Sequence, residues 1–303
     1  MRHWFINPAD DRLRAGWRIL LFVALFVALA VGGQLGVRAA LGSLPKGSSL
    51  IFAILAIAAT VAVFICRRHL DKKSFVSLGL GGRSVALKDL VFGFLLSAAM
   101  AACVLALMLG AGVIEELRFS WGVDGLTPRL LLAALLPTIL IGYWEELVNR
   151  GYLFQNMREG MGLVAAVLLS CVLYGILHAA NPNASWLSSL IIVGFGLLRL
   201  YGYLATGLLW LSIGMHIGWN FFQGTVFGFP ASGHAEAHTL LSHERVGPGW
   251  LSGGDFGPEG SLLILPVIGL ALAAMHFWAR SPLRSAWNEA KPAQANRNPL
   301  QEV

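Results

Sequence analysis

A short segment in the middle of the chain, EELVNR at residues 145–150, places charged side chains among leucines, isoleucines and aromatics. On an α-helix Glu146 and Arg150 are four residues apart, in the order that favours an ion pair. Glu145 is rotated by about 100° from Glu146 and lacks that partner. We therefore expect Glu146 and Arg150 to form a structural pair and Glu145 to be available for proton transfer. The alternative is that both glutamates mark the end of a membrane span, where charge costs little.

Two further segments set polar residues at helical spacing within apolar runs. Tyr174 and His178 are four residues apart in YGILH, as are His216 and Asn220 in HIGWN. Histidine and asparagine N–H groups on one helix face could stabilise an anionic transition state. Hydrogen bonding between membrane helices would explain each pair taken alone. A polar cavity shared by three spans explains all three segments together.

Other patterns for hydrolytic chemistry are absent or weak. The sequence contains neither HExxH nor GxSxG, which excludes the usual signatures of soluble zinc proteases and of α/β-hydrolases. The segment HAEAHTLLSHE, residues 234–244, has residue types that suit a transition metal. No zinc-ligand spacing is matched there, so we interpret it as a solvated polar loop.

The composition is that of a membrane protein. Of 303 residues, 56% are hydrophobic and 13% are charged, and apolar runs long enough to cross the bilayer recur along the chain. Continuous rather than alternating runs predict an all-α, polytopic protein with about eight transmembrane helices. The predicted spans are 19–37, 49–66, 90–114, 130–154, 161–180, 186–198, 203–222 and 261–278.

The net charge of +6 does not indicate nucleic-acid binding, because the basic residues lie between the apolar runs. They gather in alternate connections, which places both termini in the cytoplasm. On this interpretation Arg150 and Arg199 lie in cytoplasmic connections, after the fourth and the sixth span. The first outer loop, with Arg38 and Lys46, fits this rule less evenly. Residues 281–303 are polar and are expected to form a disordered tail.

In order along the chain, the motifs are Glu145-Glu146-x-x-x-Arg150, aromatic-x-x-x-His178 and His216-x-x-x-Asn220. This order resembles the CPBP family, which joins CAAX prenyl proteases of the Ras-converting type with bacterial abortive-infection and bacteriocin-immunity relatives. The resemblance covers roughly residues 130–220. Tyr174 departs from the family, which more often has phenylalanine there. We expect the change to be tolerated, because the expected role is packing beside the histidine.

The resemblance implies an intramembrane endopeptidase in which Glu145 and His178 activate a water molecule. His216 and Asn220 would face the oxyanion, and a supporting group would consist of Glu146, Arg150 and Tyr174. The implied substrate is a membrane-embedded or lipidated protein or peptide. Family members are called metalloproteases, so a divalent metal such as zinc at the catalytic site is left open, although the residues themselves require no cofactor.

The expected organisation is a cytoplasmic interfacial segment at 1–18, a CPBP-like protease domain at 19–280 and a cytoplasmic tail at 281–303. The expected location is the inner membrane of a bacterium. Two other function classes use the same polar residues. One is a non-catalytic membrane-binding or immunity-type protein, and the other is a proton-coupled transporter.

The predicted depths of two site residues conflict. A fourth span that ends at residue 154 places Glu145 toward the cytoplasmic side, whereas His178 lies near the outer end of the fifth span. Catalysis needs the two side chains within a few ångströms of each other. Either the fourth helix continues well past Arg150, or the fifth span begins inside the membrane.

Overall fold

The computed structural model of the protein describes residues 2–45, 48–121 and 127–285. Lys46 and residues 286–303 of the predicted tail lie outside the described residues. Helices of more than ten residues dominate the described part. They are α1 (Ala15–Leu41), α2 (Ser49–His69), α3 (Arg83–Gly110), α4 (Pro128–Met161), α5 (Leu163–His178), α6 (Trp186–Thr206), α7 (Trp210–Asn220) and α8 (Ile264–Arg280).

Each of the predicted spans has a helical counterpart. By length and composition, α1, α2, α3, α4 and α6 could each cross a membrane, while α5 and α8 are shorter apolar helices. Helix α7 has only 11 residues and is prolonged by a π-helical segment, Phe221–Val226. The prediction of an all-α polytopic membrane protein is confirmed.

Helix α4 is longer than predicted, which changes the position of Glu145 along it. It starts with Pro128 at its first turn, where the Thr127 side chain accepts a hydrogen bond from the Leu130 N–H. A π-helical segment, Leu147–Leu153, continues it, and the helix ends only at Gly162, where φ is +82°. Glu145 is therefore near the middle of α4, and the first of the two alternatives is correct.

The boundary between α6 and α7 also differs from the prediction. Helix α6 runs to Thr206 and is not the short span expected at 186–198. Gly207 ends it with φ of +69°, a conformation that glycine adopts without steric cost. Helix α7 begins at Trp210, so the predicted start at residue 203 is wrong.

The helices run up and down, so the connections lie at two ends. We call one the basal end; it holds residues 70–82, Gly162 and residues 207–209. Arg18 there donates to Asp71 and Glu159, and Arg284 donates to the Thr206 carbonyl. The described N-terminal and C-terminal segments both lie at this end.

The basal end is held together by buried ion pairs. Asp71 accepts hydrogen bonds from Arg18 and Arg67, both at 2.9 Å, which links α1 to α2. Asp89 of α3 forms a bidentate pair with Arg284 at 2.9 and 3.0 Å. Pro282–Ser285 is consequently a short ordered helix and does not belong to the disordered tail expected from residue 281.

The opposite, capped end carries a two-stranded antiparallel sheet that the sequence did not indicate. Strand β1 (Ile114–Phe119) pairs with β2 (Leu241–Arg245), with Ile114 opposite Arg245. Strand β2 begins inside residues 234–244, the segment interpreted as a solvated loop, and ends one residue beyond it. The sheet covers the end of the bundle where the connections 111–121 and 227–263 meet.

Helix α7 lies at the centre of the bundle. All its residues from Leu211 to Trp219 are buried. Its closest neighbour is α3, because glycines let the two backbones touch: a Cβ added at Gly214 would lie 2.0 Å from the Leu90 carbonyl oxygen. One added at Gly93 would lie 2.4 Å from the Leu211 oxygen. Small residues at membrane helix contacts permit this approach.

Candidate active site

Two π-helical turns border the residues predicted to do chemistry. Glu145 and Glu146 end the regular part of α4, and the π-helical segment Leu147–Leu153 follows at once. Asn220 ends the regular part of α7, and the second π-helical segment, Phe221–Val226, follows it. Such turns are rare and frequently occur at functional sites.

Glu146 is the buried anion of the site. Its side chain is 0% exposed. One oxygen, Oε1, lies 3.1 Å from Arg150 Nη1, 2.8 Å from His216 Nδ1 and 3.7 Å from Arg199 Nε. The expected ion pair with Arg150 is thus present. A buried carboxylate needs partners of this kind, and here they come from α4, α6 and α7.

The sequence pattern alone gives Arg199 no role in the site and predicts that it lies in a cytoplasmic connection. That placement is wrong, because α6 continues past it and its side chain is only 4% exposed. Arg150 likewise lies inside α4 and not after it. One feature of the sequence could have indicated this role: Arg199 has apolar neighbours on both sides. A charged side chain in such a run is costly in a membrane and needs a partner.

Glu145 lies beside Glu146 in a different environment. Its side chain is 17% exposed, so it remains accessible where Glu146 is sealed. The Tyr174 hydroxyl donates to Glu145 Oε2 at 3.1 Å and accepts from Arg199 Nη2 at 2.6 Å. Tyr174 packs beside His178 as expected, with ring centroids 4.3 Å apart, but its hydroxyl also makes two hydrogen bonds that a phenylalanine could not make.

The two predicted histidines, His178 and His216, both lie close to Glu145 or to its partner Tyr174. His178, half-buried at the end of α5, has Nδ1 2.8 Å from the Tyr174 carbonyl oxygen, and the two rings are 4.3 Å apart. His216 is buried, with Nε2 3.8 Å from Glu145 Oε2. Asn220 follows His216 by one turn of α7, and its side chain makes no hydrogen bond to any described residue.

The structure thus joins five of the predicted residues and Arg199 in one network, namely Glu145, Glu146, Arg150, Tyr174 and His216. His178 contacts this network through Tyr174. Asn220 shares the face of α7 with His216 but is not hydrogen-bonded to the network. The catalytic roles assigned to these residues remain predictions.

Residues 127–222 match the family model described as Type II CAAX prenyl endopeptidase Rce1-like. The match places an Rce1-like domain in this part of the chain. The match supports membership of the CPBP family, and it spans α4 to α7, which carry every predicted site residue. A comparison with curated proteins finds no match. Together with the apolar helices, the Rce1-like domain indicates an integral membrane protein.

The proton on His216 of the Rce1-like domain is fixed by its neighbours. Glu146 Oε1 also faces Arg150 and Arg199, so this carboxylate oxygen acts as an acceptor. The Nδ1 atom of His216 must then carry a proton and donate it to Glu146. The Nε2 atom is left to face Glu145 and whatever binds beside it.

The donor atoms of the Rce1-like domain do not fit a metal centre of three protein ligands. Among the described residues, no three His, Cys, Asp or Glu side chains are close enough together to hold a metal ion. His216 and His178 each use Nδ1 in a contact with a protein oxygen, of Glu146 and of the Tyr174 carbonyl respectively, so Nε2 is the nitrogen left open on each ring.

Proposed function

We propose that the protein is an intramembrane endopeptidase that hydrolyses a peptide bond of a membrane-embedded or lipidated substrate, using a water molecule activated by Glu145. The observation that carries the proposal is the difference in environment between the adjacent glutamates Glu145 and Glu146. Glu146 is sealed and neutralised by cations, while Glu145 is held by one hydroxyl and stays accessible. A general base must reach the proton that it removes, and Glu145 meets this requirement.

In the proposed reaction Glu145 takes a proton from the water as the water oxygen bonds to the carbonyl carbon of the scissile peptide. His178, at the accessible edge of the network, orients that water. The tetrahedral intermediate then collapses, the carbon–nitrogen bond breaks, and Glu145 returns the proton to the leaving amine. This proton balance needs no group beyond the substrate, the water and the side chains.

The negatively charged oxygen of the tetrahedral intermediate needs hydrogen-bond donors that stabilise its charge. Asn220 offers an amide that is not hydrogen-bonded to any described residue, so Nδ2 can donate without breaking a protein contact. His216 lies on the same face of α7 and is the second proposed donor, a role in which Nε2 carries a proton taken up from solvent in addition to the one on Nδ1. Both residues belong to the central helix, whose buried contacts keep the donors in fixed positions.

The distribution of basic residues supports an orientation for the protein. Arginine and lysine concentrate at the basal end, at Arg12, Arg14, Arg68, Lys72, Lys73, Lys88, Arg158, Arg280 and Arg284. The capped end has fewer among the described residues, namely Arg38, Arg118, Arg129 and Arg245. By the positive-inside rule, the basal end with both termini is cytoplasmic, which fits the inner membrane of a bacterium.

The first test uses purified protein in detergent and two fluorescence-quenched peptides, one ending in a farnesylated CAAX motif and one without lipid. We expect Glu145→Ala and Glu145→Gln to lower kcat/KM by ~10²- to 10⁴-fold, the range for loss of a general base. Glu115→Gln, an exposed glutamate on β1, is the matched control. In parallel, the proteomes of wild-type and Glu145→Ala membranes are compared to find natural substrates.

The same variants separate hydrolysis from recognition. Glu145→Gln keeps the shape of the side chain and removes the base. If Glu145→Gln protein replaces the wild type fully in cells and its cleavage of the probes is unchanged, the proposal of a protease fails. A non-catalytic binding or immunity-type protein would then be the better description.

A further inference from the structure

An ordered chain of hydrogen bonds ends at the proposed base. Arginine has donors only, so the bond from Arg199 Nη2 to the Tyr174 hydroxyl, 2.6 Å long, must be accepted by the phenolic oxygen. The single proton of that hydroxyl is then directed to Glu145 Oε2 at 3.1 Å. The direction of both bonds is fixed by the chemistry of the arginine.

Tyr174, the middle residue of this hydrogen-bond chain, is packed on several sides. Tyr174 as a whole is only 3% exposed. The guanidinium carbon of Arg150 lies 4.6 Å from the ring centroid and that of Arg199 lies 4.9 Å away. The His178 ring packs at 4.3 Å. The hydroxyl is therefore a fixed point against which a flexible glutamate can be oriented.

We propose that Tyr174 and Arg199 are positioning residues that hold Oε2 of Glu145 and leave its Oε1 to take the proton from the water. This role rests on the proposed function. Holding one carboxylate oxygen reduces the number of orientations that Glu145 samples, which matters because catalysis depends on near-attack geometry. It also explains why a buried arginine on α6 belongs to the site although the predicted catalytic residues lie on α4, α5 and α7.

The decisive variant is Tyr174→Phe, which removes only the hydroxyl. With the farnesylated quenched peptide as probe, we expect kcat to fall by ~10- to 100-fold while KM stays within about twofold, since the substrate is still bound but the base is misaligned. Tyr203→Phe is the matched control, because Tyr203 is also buried but lies on α6 without a hydrogen bond to the site. It should retain the wild-type kcat.

Arg199→Met tests the second link of the chain. It should lower kcat at least as much as Tyr174→Phe, and the double variant should be no worse than Arg199→Met alone, because both residues act through one hydroxyl. If Arg199→Met does not fold, Tyr174→Phe still decides the matter. A kcat of Tyr174→Phe within twofold of the wild type, with Glu145→Ala inactive, overturns the positioning role alone.

A second measurement needs no cleavable substrate. Tyr174→Phe should lower the Tm of the wild type by more than it lowers that of Glu145→Ala, because in Glu145→Ala only the bond from Arg199 to the hydroxyl remains to be lost. Equal losses of Tm in the two backgrounds overturn the proposal, because Glu145 would then not be the partner of the hydroxyl. If the wild type and Glu145→Ala cleave the probes equally, the proposed function fails and the positioning role fails with it.

Discussion

The Nδ1 atom of His216 lies 2.8 Å from Oε1 of Glu146, so the central helix α7 is hydrogen-bonded to α4 at the level of the site. The same oxygen pairs with Arg150 on its own helix. One buried carboxylate oxygen therefore fixes both the orientation of the His216 ring and the position of the Arg150 side chain. The geometry around Glu145 depends on this pairing, and the first prediction tests it.

Arg150→Ala should destabilise the protein by ~3–5 kcal/mol, because it leaves a buried carboxylate without its closest arginine. The midpoint of unfolding in detergent measures this loss, and activity should fall with it. Arg118→Ala is the control, because Arg118 pairs with Glu116 on the exposed face of β1 and such pairs contribute little. A fully stable and active Arg150→Ala protein would show that the pair does not brace the site.

Asn220→Ala should lower kcat by ~10²- to 10³-fold, the usual effect of removing one oxyanion donor. The Tm should be unchanged, since the side chain is not hydrogen-bonded to any described residue. Initial rates with the quenched peptides, together with thermal unfolding, measure both quantities. Asn181→Ala, which removes a bond to the Ser232 carbonyl at the capped end, should keep the wild-type kcat. A rise in KM at constant kcat would instead indicate that Asn220 binds substrate.

Gly214→Ala should destabilise the bundle by ~1–3 kcal/mol, as overpacking does in a well-filled core. The added Cβ would meet the backbone of Leu90 at 2.0 Å, and backbone atoms cannot rotate away. Helices α3 and α7 would have to separate, which would move His216. Gly36→Ala on α1 meets nothing within 4 Å and should be neutral or slightly stabilising. Thermal unfolding of the two variants tests this; equal midpoints would mean that α3 and α7 are not in close contact.

The sheet at the capped end should respond to pH through His243. This residue lies on β2, with Nε2 3.0 Å from the Phe227 carbonyl oxygen and its ring 4.5 Å from that of Phe229. Burial lowers the pKa of the imidazole below its usual value, and nearby Arg245 acts in the same direction. Because the pKa is lower in the folded state, the stability contributed by neutral His243 is present above about pH 6.5 and is lost as the pH falls through the folded pKa.

We therefore expect the Tm to fall on acidification below about pH 6.5, and to fall less steeply in His243→Gln. Unfolding midpoints of both proteins at several pH values between 5 and 8 give the comparison. Since every other titrating group is common to the two proteins, the difference between the slopes reports His243. Parallel slopes would show that His243 is not buried as a neutral side chain.

The sequence alone determined the features that depend on local spacing. Apolar runs predicted the helices, and the four-residue separation of Glu146 from Arg150 predicted their ion pair, because residues four apart share one face of a helix. The order of three such motifs predicted a resemblance to the CPBP family, which the Rce1-like match at residues 127–222 supports. These inferences need no knowledge of how one helix lies against another.

The tertiary structure alone decided which helix faces meet and at what depth. Arg199 joined the site only because α6 continues to Thr206, and the hydroxyl of Tyr174 gained its role from residues on α4 and α6. Contacts such as Gly214 against Leu90 set the position of α7. The rotation and depth of each helix follow from packing between distant parts of the chain, which the spacing of residues within one helix does not encode.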